Sequence, residues 1–227
     1  LTPDQVVAGS RKKYWFKCPQ GPDHEWGTSL SNRTRQGKGC PYCSHNRLSV
    51  TNSLATLFPE IAAQWHPTLN GDLTPHQVVA GTPKKYWFKC TEGPDREWDA
   101  SLASRTGQGV GCPCCSHHRV SVTNSLATLF PEIAAQWHPT MNGYMTPDKI
   151  MAQSNRKYWW KCSKGSDHEW LAMVNNRTSK KKSGCACCRG FKASVTNSLA
   201  SLFPAVAAQW HPTLNGELTP DQVVTGS

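Results

Sequence analysis

Residues 12–18 are rich in aromatics and alternate with lysines, the period-two pattern of a half-buried strand. Gly21-Pro22-Asp23 is a turn signal. Residues 24–34 read as the returning strand, so the two segments predict a hairpin. Downstream the period changes. Leu54, Leu57, Phe58, Ile61, Ala62 and Trp65 fall at spacings of three and four, one face of helix. Thr51 or Asn52 caps a first segment over 53–58, Pro59-Glu60 restarts the chain, and His66-Pro67 ends a second segment. The apolar face is expected to pack on the hairpin. Upstream, Thr2-Pro3 reads as an N-cap and first helical residue of a short turn over 4–7 that Gly9 ends.

The same pattern runs three times. Cys90 follows Cys18 by 72 residues and Cys162 follows Cys90 by 72 more. Residues 49–68 match 121–140 without a difference, and the third copy carries one extra residue within Lys180-Lys181-Lys182-Ser183, in a loop that absorbs it. The units run 1–72, 73–144 and 145–217. Residues 218–227 repeat the opening Leu-Thr-Pro-Asp-Gln-Val-Val, which reads as the start of a fourth unit in a longer natural protein. A module this small buries too little apolar surface to stand comfortably alone, and a metal commonly supplies the difference.

The cysteines meet that need. Cys18 and His24 lie six positions apart, and Cys40 and Cys43 form a Cys-x-x-Cys pair after a Gly37-Lys38-Gly39 loop. A hairpin with one ligand on each side of its turn, closed by a knuckle, brings four donors to one point, and thiolate with imidazole suits Zn²⁺. Unit three repeats the set as Cys162, His168, Cys185 and Cys188. Unit two keeps Cys90, Cys112 and Cys115 but has Arg96 in place of His. Three alternatives stand there. His117, His118 or Cys114 supplies the fourth donor; or it is the His of Trp-His-Pro, present as His66, His138 and His211; or the site holds no metal. A His at that helix end also reads as a C-terminal cap. Cys114 and Cys187 stand where unit one has Tyr42 and read as buried spare thiols. Eleven cysteines are an odd count for a disulfide framework, and zinc implies a reducing, intracellular compartment. No apolar run approaches membrane-spanning length.

The net charge of +10 favours a polyanionic partner, nucleic acid before acidic protein. The cations recur in register. Lys12-Lys13, Lys84-Lys85 and Arg156-Lys157 precede the first strand; Arg33, Arg105 and Arg177 follow the second; Arg47, Arg119 and Lys192 follow the knuckle; Lys180 to Lys182 add to a loop. Such a stripe tracks a phosphate backbone, though the arginines of Asn-Arg-Thr equally suit a structural clamp. Trp15, Trp26, Trp65 and their copies read as core, and Tyr14, Tyr86 and Tyr158 are the best candidates to stack on a base. The recurring carboxylates Asp23 and Glu25 flank a ligand, where orienting the turn or the metal's surroundings is their expected task. No catalytic triad or phosphate-binding glycine loop is present, so no enzyme and no small-molecule substrate is expected.

Taken together, the His-Glu-Trp, Asn-Arg-Thr, Gly-Cys-Pro-x-Cys, Asn-Ser-Leu-Ala, Pro-Glu-Ile-Ala, Gln-Trp-His-Pro-Thr and Asn-Gly-x-Leu-Thr-Pro motifs resemble the tandem treble-clef zinc-finger repeats described as a probable zinc-ribbon domain. The resemblance spans essentially the whole chain. It implies small zinc-stabilised α+β modules, each a β-hairpin, zinc knuckle and short helices, in an array for which nucleic-acid binding is proposed; some treble-clef relatives are endonucleases. The Gly-Pro-Asp-His turn is two residues longer than the commoner Gly-His form, and Arg96 departs from the family's His at the second zinc. Two functions follow as expectations: binding of DNA or RNA through repeated basic faces, or a scaffold role inside a large protein or ribonucleoprotein assembly.

Overall fold

A computed structural model describes residues 2–180 and 183–225, so Lys181 and Lys182 of the basic loop lie outside the described residues. The expected hairpins are present: β1 (Lys13–Lys17) with β2 (Glu25–Ser29), β3 (Lys85–Lys89) with β4 (Glu97–Ser101), and β5 (Lys157–Lys161) with β6 (Glu169–Met173), each an antiparallel pair. The register sets Phe16 opposite Trp26, Phe88 opposite Trp98 and Trp160 opposite Trp170. A 3₁₀ turn at Pro3–Gln5, Pro75–Gln77 and Pro147–Lys149 precedes each hairpin.

The returning strand is shorter than its sequence predicts. It stops at Ser29, and Leu30–Thr34 forms α1; the copies are α4 (Leu102–Gly107) and α7 (Val174–Thr178). The cause is local: the Asn32 N–H donates to Ser29 Oγ, and the Ser104 N–H to Ser101 Oγ, so a serine that fits the alternation also caps a helix. In the downstream half, α2 (Leu54–Leu57) and α3 (Pro59–Ala62) are single turns, copied as α5 (Leu126–Leu129) with α6 (Pro131–Ala134) and α8 (Leu199–Leu202) with α9 (Pro204–Ala207). Phe58 separates α2 from α3 because the residue before a proline is driven out of helical geometry; its φ and ψ are −139° and 67°. Helices this short have almost no intrinsic stability and persist through packing.

That packing is staggered. The helical half of the first repeat buries its apolar face on the hairpin of the second. Leu54 is fully buried with Val78, Phe88, Trp98 and Leu102, and Phe58, Ile61, Ala62 and Trp65 close over them. The chain accordingly forms two compact units, Leu1–Ser116 and His117–Ser227. In the latter, Leu126, Ile133 and Ile150 pack with Trp160, Trp170 and Val174 of the third hairpin. The joint is also a backbone joint: the Leu54 N–H donates to Val78 O, the His66 N–H to Trp87 O and the Lys89 N–H to Gln64 O.

The tryptophans divide more sharply than expected. Trp26, Trp98 and Trp170 are buried, and Trp65 and Trp137 are half-buried at the joints. Trp15 is 80% exposed and Trp87 39%, because both sit on the outer side of their strand. Tyr86 and Tyr158, expected to be open for stacking, pack against Trp65 and Trp137 with centroids 4.9 and 4.7 Å apart.

Candidate metal centres

In the first repeat, β1 delivers Cys18 just past its end, the turn delivers His24, and the knuckle delivers Cys40 and Cys43; the four donor atoms form one cluster. Cys18 Sγ lies 3.7 Å from Cys43 Sγ, and His24 Nδ1 lies 3.7 Å from Cys40 Sγ and 3.6 Å from Cys43 Sγ. A tetrahedron with Zn–S bonds near 2.3 Å has S···S edges of about 3.8 Å and slightly shorter S···N edges. The donor set therefore fits zinc in identity, number and spacing. The third repeat gives the same figure: Cys162 to Cys188 is 3.7 Å, and His168 Nδ1 to Cys185 and Cys188 is 3.6 and 3.5 Å.

The histidine tautomer is set from behind. His24 Nε2 lies 2.9 Å from Ser49 Oγ and 2.8 Å from Thr51 Oγ1, so an Nε2–H shared with the hydroxyls leaves the Nδ1 lone pair facing the thiols. Ser49 in turn donates to Asp23 Oδ1, and the Val50 N–H donates to Asp23 Oδ2. The backbone N–H of Val50, chief among these contacts, holds the Asp23 carboxyl below its usual range. His168 Nε2 makes the same contacts with Ser194 and Thr196, and the Val195 N–H donates to Asp167 Oδ2, but Ser194 Oγ donates to Asn197 Oδ1 rather than to Asp167. Asn52 fastens the arrangement: its Oδ1 accepts the Ser49 N–H and its Nδ2 donates to Tyr42 O and Arg47 O. The supporting role expected of Asp23 is what it performs. Thr51 and Asn52, expected to cap the following helix, serve this arrangement instead, and Ser53 is the cap of α2, accepting the Thr56 N–H; Ser49 had no expected role, although Ser-Val-Thr-Asn-Ser recurs in all three copies. Gly21 is required because a Cβ there would stand 2.6 Å from the His24 ring.

The thiols differ among themselves. Burial raises the Cys40 thiol, but the backbone N–H groups of Cys43 and Tyr42 and the neighbouring sulfurs outweigh it and hold it below the usual value. Cys43, raised by its own desolvation and by Cys18 and Cys40, is pushed up to about 11. Cys188 is pushed up to about 12 for the same reasons, with Cys162 and Cys185 as neighbours. Packed thiols resist becoming thiolates together, the repulsion that a bound dication removes.

The second repeat brings together Cys90, Cys112 and Cys115 without a histidine. Arg96 is 8% exposed and its Nη1 donates to Cys115 Sγ at 2.9 Å. Burial works against the guanidinium charge, but the Cys115 sulfur overcomes it and the Arg96 pKa rises. The Trp-His-Pro histidines are engaged elsewhere. His66 Nδ1 accepts from the N–H groups of Thr68 and Leu69, while its Nε2 lies 3.2 Å from Glu97 Oε1, short but poorly aligned as a hydrogen bond. His138 does likewise with Thr140, Met141 and Glu169. Cys114 and Cys187 are each 2% exposed in the two cores, buried as expected.

The cations separate into two groups. Arg105 and Arg177 are 5% and 3% exposed, which removes them from any nucleic-acid face. Arg105 lies over Phe88 and Trp98, with Nη1 donating to Val110 O and Nη2 to Gln64 Oε1. Arg177 does the same over Trp160 and Trp170, reaching Ser183 O and Gln136 Oε1. Arg33, over Phe16 and Trp26, is half-buried and donates to Lys38 O. Lys12, Lys13, Arg47, Lys84, Lys85, Arg119, Arg156, Lys157 and Lys192 are exposed. Of these, Lys85 pairs with Asp99 and Lys192 donates to Glu169 O.

Comparison with known families returns a model described as a probable treble clef zinc finger domain, matching residues 1–46, 61–118 and 133–191. A model of a TAL effector repeat matches the short stretch 205–225, which includes the recurring Leu-Thr-Pro-Asp-Gln-Val-Val. No curated protein matches the chain. Among the described residues, no helix is long and apolar enough to cross a membrane.

Proposed function

Since the chain belongs to the probable treble clef zinc finger family, we propose that its zinc-binding repeats form a nucleic-acid-binding array rather than an enzyme. One observation carries this reading. A pair of exposed cations stands at the same place in every repeat, immediately before or at the start of the first strand: Lys12-Lys13, Lys84-Lys85 and Arg156-Lys157. Arg47, Arg119 and Lys192, also exposed, recur after each knuckle. Hairpins that each present cations at the same register position suit a polyphosphate, where each neutralised phosphate releases counterions. In this reading zinc fixes the hairpin to the knuckle in repeats one and three, with Cys18, His24, Cys40 and Cys43 and with Cys162, His168, Cys185 and Cys188 as ligands. In repeat two the Arg96 guanidinium supplies the positive charge among Cys90, Cys112 and Cys115, so the chain holds two zinc ions rather than three.

The test is binding of the zinc-loaded chain to duplex DNA and to single-stranded RNA across a salt series. The reading expects log affinity to fall linearly with log salt. It also expects replacement of the three cation pairs by alanine to weaken binding to every sequence alike and to flatten that slope. Binding already lost near physiological salt, or unchanged by those replacements, would reject it and favour a scaffold role in a larger assembly.

A further inference from the structure

The second repeat keeps the scaffold of a metal site but exchanges one donor for a charge. Its hairpin turn has the backbone of the first: the Cys90 N–H donates to Arg96 O at 2.9 Å, as the Cys18 N–H does to His24 O at 2.9 Å. The side chains at 96 and 24 therefore reach the same place. Arg96 Nη1 lies 2.9 Å from Cys115 Sγ, and His24 Nδ1 lies 3.6 Å from the corresponding Cys43 Sγ. Gly93 leaves room for the longer side chain, since a Cβ there would stand 2.9 Å from Arg96 Nε. The sulfurs still converge: Cys90 Sγ and Cys115 Sγ are 3.6 Å apart, and Cys112 completes the group. Among the described residues, no histidine, carboxylate or fourth cysteine joins them.

A guanidinium has no lone pair to give, so this set offers a metal three sulfur donors beside a fixed cation. Tetrahedral zinc lacks its fourth ligand there. Copper(I) is soft, favours thiolates and is satisfied by three of them. Resting on the reading that Arg96 stands in place of the second zinc, we propose that Cys90, Cys112 and Cys115 form a copper(I) site, with the Arg96 guanidinium offsetting their surplus negative charge.

Charge leads to the same ion as coordination does. Zn²⁺ with three thiolates and a neutral imidazole carries one net negative charge, and so does Cu⁺ with three thiolates and a guanidinium. The exchange of His for Arg therefore suits a matching loss of one charge on the metal. A dication would also be repelled by Arg96 twice as strongly as a monocation at the same distance. Access and shielding fit as well. Cys115 is exposed and gives an incoming ion its first thiol, whereas Cys90 and Cys112 are 8% and 6% exposed and hold it away from water. As copper enters, the thiols give up their protons to solvent, and no electron is transferred.

The test starts from the zinc-loaded full chain, reduced and anaerobic, with its zinc counted by elemental analysis. One equivalent of copper(I) is offered as its bathocuproine disulfonate chelate, whose absorbance falls as copper is withdrawn. The chain is expected to take one copper while keeping its two zinc ions, and X-ray absorption at the copper edge should show three sulfur neighbours and no nitrogen. Cys115→Ser, at an exposed position, should weaken uptake on the order of a hundredfold while retaining the wild-type circular dichroism. Arg96→Met, which keeps the bulk and removes the charge, should weaken it about tenfold to a hundredfold, and Arg96→Lys should bind copper more tightly than Arg96→Met. Three zinc ions in the wild type would overturn the reading of Arg96, and the copper site with it. Two zinc ions with no copper withdrawn overturns the copper site alone. So does copper uptake that expels an equal amount of zinc, or uptake that either Cys115→Ser or Arg96→Met leaves unchanged.

Discussion

Replacing Leu54 by alanine tests the staggered packing most directly. Leu54 lies in the first repeat by sequence but is fully buried against the hairpin of the second. The change removes three carbons, about 2.4 kcal/mol at roughly 0.8 kcal/mol each. The cavity left among Val78, Phe88 and Leu102 adds to this, for a total of about 3–5 kcal/mol. At about 1.4 kcal/mol per decade, amides of residues 85–101 should exchange roughly a hundredfold to a few thousandfold faster. Amides of residues 13–29 should be little changed. Leu199 occupies the same place in the same motif but is only half-buried. Leu199→Ala should therefore cost less than about 1 kcal/mol. Hydrogen exchange followed by mass spectrometry on the zinc-loaded chain reads all three quantities. Loss of protection confined to 13–29, or equal costs for Leu54→Ala and Leu199→Ala, would refute the reasoning.

Other expectations follow from the same contacts. Complete chelation should abolish the near-ultraviolet tryptophan signal and hairpin protection of repeats one and three, since metal affinity there is folding energy; a chain unchanged in circular dichroism after metal removal would contradict it. Arg96→His should raise the zinc content from two ions per chain to three by elemental analysis, and a count unchanged at two, or already three in the wild type, would show the Arg96 reading to be wrong. Arg105→Lys keeps the charge but gives up the fork to Val110 O and Gln64, so a loss of about 1–3 kcal/mol is expected in denaturant unfolding of the first unit. Glu97 is held below the usual carboxylate value by His66 and then Lys89. A depressed pKa stabilises above the unfolded value and is lost as pH falls through the folded one. The stability difference between wild type and Glu97→Gln should thus be present near neutrality and vanish in acid.

The clusters of cysteine and histidine were legible because these residues at fixed spacings have few other uses. The hydroxyls behind the histidine were not, since serine and threonine carry no such spacing; only the threefold recurrence of Ser-Val-Thr-Asn-Ser marked them. Periodicity identified the apolar face that begins at Leu54, but near-identical copies give no sign of which hairpin receives it. The strand was overdrawn at Ser29 because the same serine suits a strand end and a helix cap. Arg105 read equally as a phosphate contact and as a structural clamp, because burial of a guanidinium depends on acceptors 5 residues on and 41 residues back, a pairing that only the fold reveals.

The repetition of one joint bears on how such an array changes length. At Leu54 with Phe88 and at Leu126 with Trp160, the faces that meet are nearly the same. A recombination that removes or adds a whole period at any phase rejoins a helical half to a hairpin it already fits. The gene can therefore gain or lose copies without a new interface having to arise. A deletion of only part of a period between Leu54 and Leu102 instead severs a core.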